Sequence, residues 1–395
     1  MRTLSNFFRG GFDYLWNEPE GQIPALDGLR SFAILLVVVG HSAAGFRGAG
    51  GQDNFAAHLP FVQGGWIGVD LFFVLSGFFI GKQLWKEFSK TGSIHVTNFI
   101  LRRGLRIWPL YYSVFLVTLV PYFLGYVAYK PIWPELFFVS NYLPDAWVGG
   151  SWSLATEEQF YISVPILIVL ASGLTRSLSV LRWGVTALFL LAPVSRFFTW
   201  KFLGFSPLDK PNIITYLYYP IHTHCDGLLV GLIISNLITD GAKIKNALLR
   251  SPGFVLVIAA AAGAILHLIS PIYFNYMGVA LLFGSLVWFC LNTKNNVIVR
   301  FLSWKGFYLI SKLSFGMYLM HQYALHMIAH GVLDFLPTLM PALQMSLVTV
   351  LNVILAMISA AVGVVLIEHP FLRLRGRLWF GKTHHGVAPV ISLSG

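Results

Sequence analysis

The chain has 395 residues, of which 56% are hydrophobic and only 11% are charged, and its mean hydropathy is +0.70. This composition excludes an ordinary soluble globular protein and favours a helical membrane protein. The formal net charge of +11 would suggest nucleic-acid binding in a soluble protein. Most basic residues fall in loops on one side of the predicted bundle, so topology explains the charge and no nucleic-acid partner is expected.

Runs of about 18–25 apolar residues predict about ten transmembrane helices in a single all-α integral-membrane bundle. Turn-forming residues separate the runs, as in "RGAGGQDN" and "LPTLMP". The predicted spans are roughly 29–46, 66–85, 107–128, 152–172, 181–200, 213–238, 253–270, 272–292, 307–333 and 344–367. The chain therefore divides into an N-terminal segment at 1–28, a transmembrane domain at 29–368 and a basic tail at 369–395.

Lysine and arginine are distributed unevenly between the predicted loops. An even number of spans places both termini on one side of the membrane, and 22 of the 27 basic residues lie on or at the border of that side. The positive-inside rule therefore predicts that both termini are cytoplasmic. The expected location is the plasma membrane, which is the inner membrane in a Gram-negative cell, with the lipid bilayer as partner. The oligomeric state is not predicted.

The first span, within "LDGLRSFAILLVVVGHSA" at 26–43, carries an ionisable ring. Eleven residues make almost three turns of an α-helix, so Arg30 and His41 are predicted to share one face. The helical rise places His41 about 16 Å above Arg30, roughly halfway through a ~30 Å hydrocarbon core. At that depth the ring needs a polar cavity or a partner, so His41 is a candidate functional residue. The alternative is a neutral histidine that hydrogen-bonds to a neighbouring helix.

Four motifs, in order along the chain, resemble those of the acyltransferase-3 family of integral-membrane acyltransferases. They are "ALDGLRSFAILLVVVGHS" at 25–42, "GGWIGVDLFFVLSGFFIG" at 64–81, "FILRRGLRIWPLYY" at 99–112 and "WSLATEEQFYISVP" at 152–165. Weaker matches in "CDGLLVG", "LSFGMYLMH" and "EHPF" extend the resemblance over nearly the whole chain. The family's first helix carries a basic residue, ten intervening residues and a histidine, and Arg30 and His41 fit that spacing.

The resemblance implies an acyl-CoA donor and a role for His41 as the base that activates an acceptor hydroxyl. Imidazole suits this role because its pKa is close to working pH. Arginine suits phosphate because its guanidinium donates bidentate hydrogen bonds. Acetyl-CoA is the favoured acyl-CoA. The arginines expected to contact its phosphates are Arg30, Arg102, Arg103 and Arg106. The alternative is that the arginines before the third span only mark topology.

Two adjacent glutamates, Glu157 and Glu158, lie near the outer end of the predicted fourth span. Either could orient and charge-stabilise the imidazole of His41, with a slight preference for Glu157. The alternative is that both are structural partners of buried arginine or tryptophan. Further residues expected near the substrates are Asp70, Trp152, Ser153 and His321. For Asp70, a structural ion pair or hydrogen bond is favoured over direct catalysis.

No metal ion is expected at the histidine-rich segments. In "HTHCD" at 222–226, the two histidines of an H-x-H pair point about 200° apart on a helix. His224 also departs from the family, whose members often carry arginine there. His326 and His330 have helical spacing but no accompanying H-E-x-x-H carboxylate. These segments therefore do not predict a metal site.

The predicted function is transfer of a short acyl group, acetyl being favoured, from cytoplasmic acyl-CoA to a hydroxyl of a carbohydrate or glycan. Direct transfer is favoured because no serine or cysteine nucleophile lies in a recognisable elbow. No appended hydrolase-like domain is expected in this chain. Two alternatives remain: a proton-coupled transporter or flippase, which intramembrane ionisable residues would suit, and an acyl carrier that hands the group to a partner enzyme.

Overall fold

A computed structural model describes residues 10–18, 21–128, 130–143, 147–241, 251–323 and 325–380. Within these ranges the chain is helical and contains no β-strand, which confirms the predicted all-α class. The helices are α1 (10–16), α2 (Pro24–Gly48), α3 (Pro60–Gln63), α4 (Ile67–Thr91), α5 (Val96–Thr118), α6 (Val120–Phe123), α7 (Trp133–Leu136), α8 (Ser151–Ser172), α9 (Leu178–Leu203), α10 (Lys210–Ile213), α11 (Asp226–Thr239), α12 (Pro252–Ile269), α13 (Pro271–Asn292), α14 (Val297–Leu302), α15 (Gly306–Met320), α16 (Leu325–Phe335), α17 (Pro341–Gly363) and α18 (His369–Phe380).

Eight helices in the described ranges are long and apolar enough to cross a membrane. They are α2, α4, α5 continued through α6, α8, α9, α12, α13 and α17 continued into α18. Each corresponds to one predicted span. The other two predicted spans, 213–238 and 307–333, are present as interrupted helices. The cytoplasmic position of the termini stays a prediction, and residues 381–395 of the predicted tail lie outside the described residues.

The first interruption lies between a π-helical segment, Ile214–Tyr218, and the start of α11 at Asp226. Pro220 has no N–H to donate, so it cannot continue the helical hydrogen-bond ladder. Its carbonyl instead accepts the amides of Thr223, at 3.2 Å, and His224, at 3.0 Å, in a tight turn. The buried side chain of His224 therefore lies in the break rather than on a helix.

The second interruption separates α15 from α16 and lies at His321. The last turn tightens, and the amide of Tyr323 bonds to the carbonyl of Met320 at 3.3 Å. The Nδ1 atom of His321 lies 3.2 Å from the Met317 carbonyl and 2.8 Å from the Tyr318 carbonyl. The ring thus competes for the Tyr318 carbonyl, which a continuing helix would use, whereas the Met317 carbonyl still accepts the His321 amide at 2.9 Å. Without a proline or glycine in "YLMHQYALH", the sequence predicts one continuous span here.

The described residues group into two compact units. The first unit comprises 1–68, 98–129 and 301–394, and in it α2 packs against α15, α16 and α17. Small residues allow α2 to approach the segment before α4, because an added Cβ on Gly40 would come within 3.0 Å of the Gly65 Cα atom. Buried apolar side chains from α2, α16 and α17 form a core that includes Ala43, Phe46, Leu325, Ala329, Met345 and Val348.

The second unit comprises 69–97 and 130–300. In this unit α11 packs against α9 and α13, and α12 packs against α13. The fully buried Trp85 of α4 donates its indole N–H to the Leu232 carbonyl of α11 at 3.1 Å. This bond satisfies the one polar atom of a large buried ring and fixes α4 against α11.

Candidate active site

A histidine pair lies in the first unit, between α2 and the break that follows α15. The Nδ1 atom of His41 is 3.0 Å from the Nε2 atom of His321. The ring centroids are 5.0 Å apart, and the rings are tilted by 45°. His321 is only 1% exposed, whereas His41 is half-buried. The residues are 280 positions apart in the chain, so the sequence could single out each one but not their contact.

The hydrogen bonds of His321 determine which nitrogen carries each proton when both rings are neutral. Carbonyl oxygens only accept, so His321 Nδ1, which contacts the Tyr318 carbonyl at 2.8 Å, must be the protonated nitrogen. Its Nε2 atom is then an acceptor, and His41 Nδ1 donates to it. The proton of His41 therefore lies on Nδ1, which leaves the lone pair of His41 on Nε2. A ring in this tautomer can accept a proton at Nε2.

The backbone next to His41 is held by a second polar contact. Asn352 of α17 donates to the Ser42 hydroxyl at 3.0 Å, and that hydroxyl donates to the Val38 carbonyl at 2.7 Å. Ser42 and Asn352 are both buried. Buried polar groups that satisfy one another in this way fix relative position, so α17 restrains α2 one residue beyond His41.

The predicted cytoplasmic end of α2 carries a fixed carboxylate. Asp27 accepts hydrogen bonds from Gln22, at 2.6 Å, and from Ser311, at 2.7 Å. Asp27 lies in the first turn of α2, where a negative charge interacts favourably with the helix dipole. Arg30 lies less than one turn further along and is half-buried. It lies on the same helix as His41; that the two side chains share one face stays a prediction.

The three arginines of the "RRGLR" motif lie on α5, also in the first unit. Arg102 is exposed, whereas Arg103 and Arg106 are half-buried. Arg106 acts electrostatically on the buried carboxyl group of Glu368. The three arginines thus differ in exposure, and the charge of Arg106 acts on an acidic group of the protein.

Glu368 interacts electrostatically with several basic groups. The charges of Arg106, Lys312 and Arg375 act on this carboxyl group, and the Tyr14 side chain hydrogen-bonds to it. Lys312 lies 3.9 Å from the ring centroid of Tyr14 and contacts its carbonyl. Burial raises the pKa of Tyr14 to about 12, with a further contribution from Glu368. The basic groups of α5, α15 and α18 thus converge at one end of this unit.

Glu157 and Glu158 lie on α8 in the second unit. Glu157 accepts a hydrogen bond of 2.6 Å from the Tyr161 hydroxyl, which also contacts the Ser76 hydroxyl of α4. Glu158 is 2% exposed. The predicted pairing of either glutamate with His41, which belongs to the first unit, stays a prediction.

Asp70 has the polar partner that its depth requires. Its Oδ1 atom is 2.8 Å from His224 Nε2, and both side chains are fully buried. His224 Nδ1 is 2.6 Å from the Tyr218 carbonyl, so Nδ1 is protonated here too. The bond between Nε2 and the carboxyl group then contains a single shared proton. His224 Nε2 and Asp70 Oδ1 are thus engaged with each other, whereas Asp70 Oδ2 is buried and has no hydrogen-bond partner among the described residues. The contact with His224 fits a structural role for Asp70.

A second fully buried ion pair lies in the same unit. Arg196 of α9 donates two hydrogen bonds to Asp226, at 2.7 and 3.1 Å. It also donates to the carbonyls of Tyr273, at 2.7 Å, and Thr223, at 2.8 Å. Bidentate geometry and four hydrogen bonds from the five guanidinium N–H groups offset the cost of removing both charges from water. This pair anchors the N-terminus of α11 immediately after the first helix break.

Trp152 and Ser153 lie at the start of α8 in the second unit. The half-buried Trp152 ring stacks on Tyr219 with centroids 4.8 Å apart, and the buried Ser153 hydroxyl donates to the Gly150 carbonyl at 3.2 Å. Across the part of the chain that the structure describes, no three His, Cys, Asp or Glu side chains converge to hold a metal ion. His222 and His224 instead contact different protein groups.

Two buried charged residues of the second unit were not predicted. Arg196 could have been found, because an arginine within the apolar run "LAPVSRFF" requires a partner. Glu135 gave no such signal, because it lies in a segment that reads as a loop. It accepts the amides of Trp147, at 2.8 Å, and Val148, at 3.0 Å, just before α8 begins. Glu135 thus fixes the loop that leads into the helix of the two glutamates.

Comparisons with known proteins agree with the predicted family. A family model described as an acyltransferase domain matches residues 23–365. The peptidoglycan O-acetyltransferase OatA of Listeria monocytogenes is 26% identical over 329 residues, which cover 76% of this chain and 49% of that protein. A Staphylococcus aureus protein named provisionally as an O-acetyltransferase is 28% identical over 315 residues, covering 74% and 44%. A Bacillus subtilis protein named provisionally as a peptidoglycan O-acetyltransferase is 26% identical over 328 residues, covering 76% and 48%. The chain thus spans about half the length of these relatives, and no solved structure matches it significantly.

Proposed function

The chain belongs to the acyltransferase-3 family of integral-membrane acyltransferases, and from this premise we propose that it transfers an acetyl group from cytoplasmic acetyl-CoA to a glycan hydroxyl. The similarity to peptidoglycan O-acetyltransferases supports a glycan acceptor. The eight apolar helices in the described residues support action at a membrane. The modified hydroxyl is then on a cell-envelope polysaccharide, and the bilayer is the plasma membrane.

His41 is the general base of this reaction. The observation that carries this assignment is its hydrogen bond to His321, which leaves the His41 lone pair on Nε2. Nε2 takes the proton of the acceptor hydroxyl while the hydroxyl oxygen attacks the thioester carbonyl carbon. The carbon–sulfur bond then breaks, the CoA thiolate leaves, and the protonated His41 returns the proton to the thiolate. The products are the acetyl ester and CoA, and no covalent enzyme intermediate is required.

The basic residues at the predicted cytoplasmic end of the first unit bind the donor. Arg30, Arg102, Arg103 and Arg106 are the proposed contacts for the CoA phosphates, with arginine favoured by its bidentate geometry. Asp70, Trp152, Ser153 and His321 were expected near the substrates. Of these, Trp152 is proposed on the acceptor side, whereas His321 acts through His41 as a positioning residue. Glu157 or Glu158 is proposed to stabilise the charge that His41 acquires.

The experiment uses the purified full chain in detergent, with acetyl-CoA and a soluble peptidoglycan oligomer that carries no O-acetyl groups. CoA release is compared between the wild type, His41→Gln and the control His267→Gln. His267 is an exposed histidine that contacts Asn275 in the second unit. His41→Gln should lower acceptor-dependent CoA release by about 10²–10⁴-fold, because a general base contributes on that order. Affinity for acetyl-CoA should stay unchanged in both variants.

Equal CoA release from the wild type and His41→Gln would remove His41 from the chemistry. A second candidate function, a proton-coupled carrier, is favoured by one observation: two predicted spans are interrupted, as in carriers whose binding sites lie at broken helices. Uptake of a solute into vesicles that depends on a proton gradient, without consumption of acetyl-CoA, would support the carrier. Acceptor-dependent CoA release would support the transferase.

A further inference from the structure

We propose that four aromatic residues of the second unit, Tyr142, Trp152, Tyr219 and His222, form a sugar-binding surface for the glycan acceptor. This aromatic platform deepens the proposed function and rests on it for the identity of the acceptor. Its ligand class is a chain of sugar rings. The platform lies at the first helix break and at the start of α8.

The four rings form two parallel pairs. Tyr142 and His222 are nearly parallel, at 2°, with centroids 5.8 Å apart. Trp152 and Tyr219 lie 4.8 Å apart at 27°. Tyr142 is 46% exposed, His222 is exposed, and the other two rings are half-buried. Each ring stacks on one neighbour, and all four rings still keep part of their surface outside the protein core.

Hydrogen-bonding groups lie at the edges of these rings. The Tyr142 hydroxyl is 3.2 Å from His222 Nδ1, and the Thr199 hydroxyl is 3.4 Å from His222 Nε2. A sugar ring has an apolar face of C–H groups and an edge of hydroxyls. Exposed ring faces bordered by hydroxyl and imidazole groups match both features, because ligand sites combine apolar surface with a few placed polar groups.

The short turn that carries Tyr142, Ser140–Tyr142, is held by hydrogen bonds before any ligand binds. The adjacent Asn141 is buried and exchanges hydrogen bonds with Gln159 of α8, at 3.1 and 2.8 Å. Gln159 also donates to the Phe138 carbonyl at 2.7 Å. Phe138 is the one non-glycine residue with a positive φ, 52°, among the described residues. Such a conformation persists only when its surroundings determine it, and it is common at ligand-binding sites.

The helix break is tied to the same scaffold. Thr156 of α8 donates to the Tyr219 carbonyl at 3.2 Å and accepts from Asn141 at 3.3 Å. One buried threonine therefore links the segment of Tyr219 to the loop of Tyr142. Because the rings are held in place, little conformational entropy is lost when a ligand orders against them. All of these segments lie at the predicted outer ends of their spans, where a cell-envelope glycan would approach.

The alternative for exposed tyrosine and tryptophan is an aromatic belt at the membrane–water interface, which would bind no sugar. The test measures binding directly, by isothermal titration of the full chain in detergent with the soluble peptidoglycan oligomer. The variants are Tyr142→Ala and His222→Ala. The matched controls are Tyr126→Ala, an exposed tyrosine at 81%, and His267→Ala, an exposed histidine. Thermal unfolding of each variant shows whether it is folded.

Each platform variant should raise the oligomer Kd by about three- to tenfold, with both controls at the wild-type value. No binding by the wild type, equal Kd values in all five proteins, or equal loss in the controls would each overturn the platform. An altered unfolding temperature with unchanged Kd would assign the rings to the interface belt. Failure of the proposed transferase activity is a separate result. Oligomer binding that the platform variants weaken, without CoA release, would refute the transferase proposal alone. CoA release with the same acceptor KM in the wild type and the platform variants would refute the platform alone.

Discussion

The contact between the two histidines leads to a prediction about residue 321. In His321→Leu, the Nδ1–H group of His41 loses the imidazole that accepts from it, which weakens the restraint on the orientation and tautomer of the ring. In His321→Gln, a side-chain carbonyl can replace the lost acceptor, because the amide oxygen of glutamine reaches about as far as imidazole Nε2. The two variants remove the same ring and differ in whether His41 is still held in the tautomer that leaves Nε2 unprotonated.

The expected loss of activity follows from the hydrogen bond of 3.0 Å between His41 and His321, of which His321 is 1% exposed. A neutral hydrogen bond contributes about 1 kcal/mol net, or roughly a fivefold effect, and an unsatisfied buried donor costs about 1–3 kcal/mol, up to roughly 100-fold. His321→Leu should therefore lower kcat between about fivefold and about 100-fold. His321→Gln should retain kcat within about threefold, because it restores an acceptor.

The assay is acceptor-dependent CoA release at saturating acetyl-CoA, with kcat and the KM for acetyl-CoA determined separately. The KM for acetyl-CoA should be unchanged in both variants, because His321 is proposed to act through His41 as a positioning residue. Thermal unfolding and acetyl-CoA binding identify any variant that has lost its fold. Equal losses in His321→Gln and His321→Leu, with both folded, would refute the role of the acceptor. Full activity in His321→Leu would refute the positioning role altogether.

Three further predictions concern stability and titration. Arg196→Met should destabilise the protein by about 3–5 kcal/mol, because it leaves the carboxylate of Asp226 buried without its cation. Adding Asp226→Leu should recover most of that stability, and thermal unfolding in detergent measures both variants. Asn352→Leu should cost about 1 kcal/mol and lower kcat more than it changes the KM for acetyl-CoA, since it releases α2 beside the histidine pair; an effect on KM alone would contradict this. The hydrogen bond from His58 lowers the pKa of the exposed Asp53, so its contribution to stability is present above about pH 4 and is lost as pH falls through the lowered pKa. His58→Asn should return that pKa towards its ordinary value in an NMR titration.

The helical class and the positions of most spans could be predicted because apolar run length is a strong signal in a membrane protein. The break at Pro220 also had a local signal, since proline cannot continue a helical ladder. The break at His321 had none, because it involves a side-chain nitrogen that competes for the carbonyl of Tyr318. Competition of that kind depends on where the ring is held by the rest of the fold.

The candidate site was predictable one residue at a time rather than as a constellation. His41 and Asp70 could be singled out because an ionisable group inside a span requires a partner. Their partners, His321 and His224, lie far away in the chain and are supplied by interrupted helices, whose geometry no helical periodicity encodes. Periodicity places residues on the face of one helix, but it carries no information about which helices become neighbours.

The two interrupted helices use their histidines in the same way, and the difference between their partners favours His41 as the base. In each break, Nδ1 of the histidine donates to a backbone carbonyl, of Tyr318 or of Tyr218, and Nε2 contacts a side chain of another helix. At His224 that side chain is the carboxyl group of Asp70, and the contact holds one shared proton between fully buried atoms. At His321 the partner is a second imidazole, which has another nitrogen. An imidazole that is fixed through one nitrogen still offers a lone pair at the other, as a proton acceptor for a substrate hydroxyl requires. The second oxygen of Asp70 also keeps its lone pairs, but it is buried, whereas His41 is half-buried, so the accessible acceptor is His41.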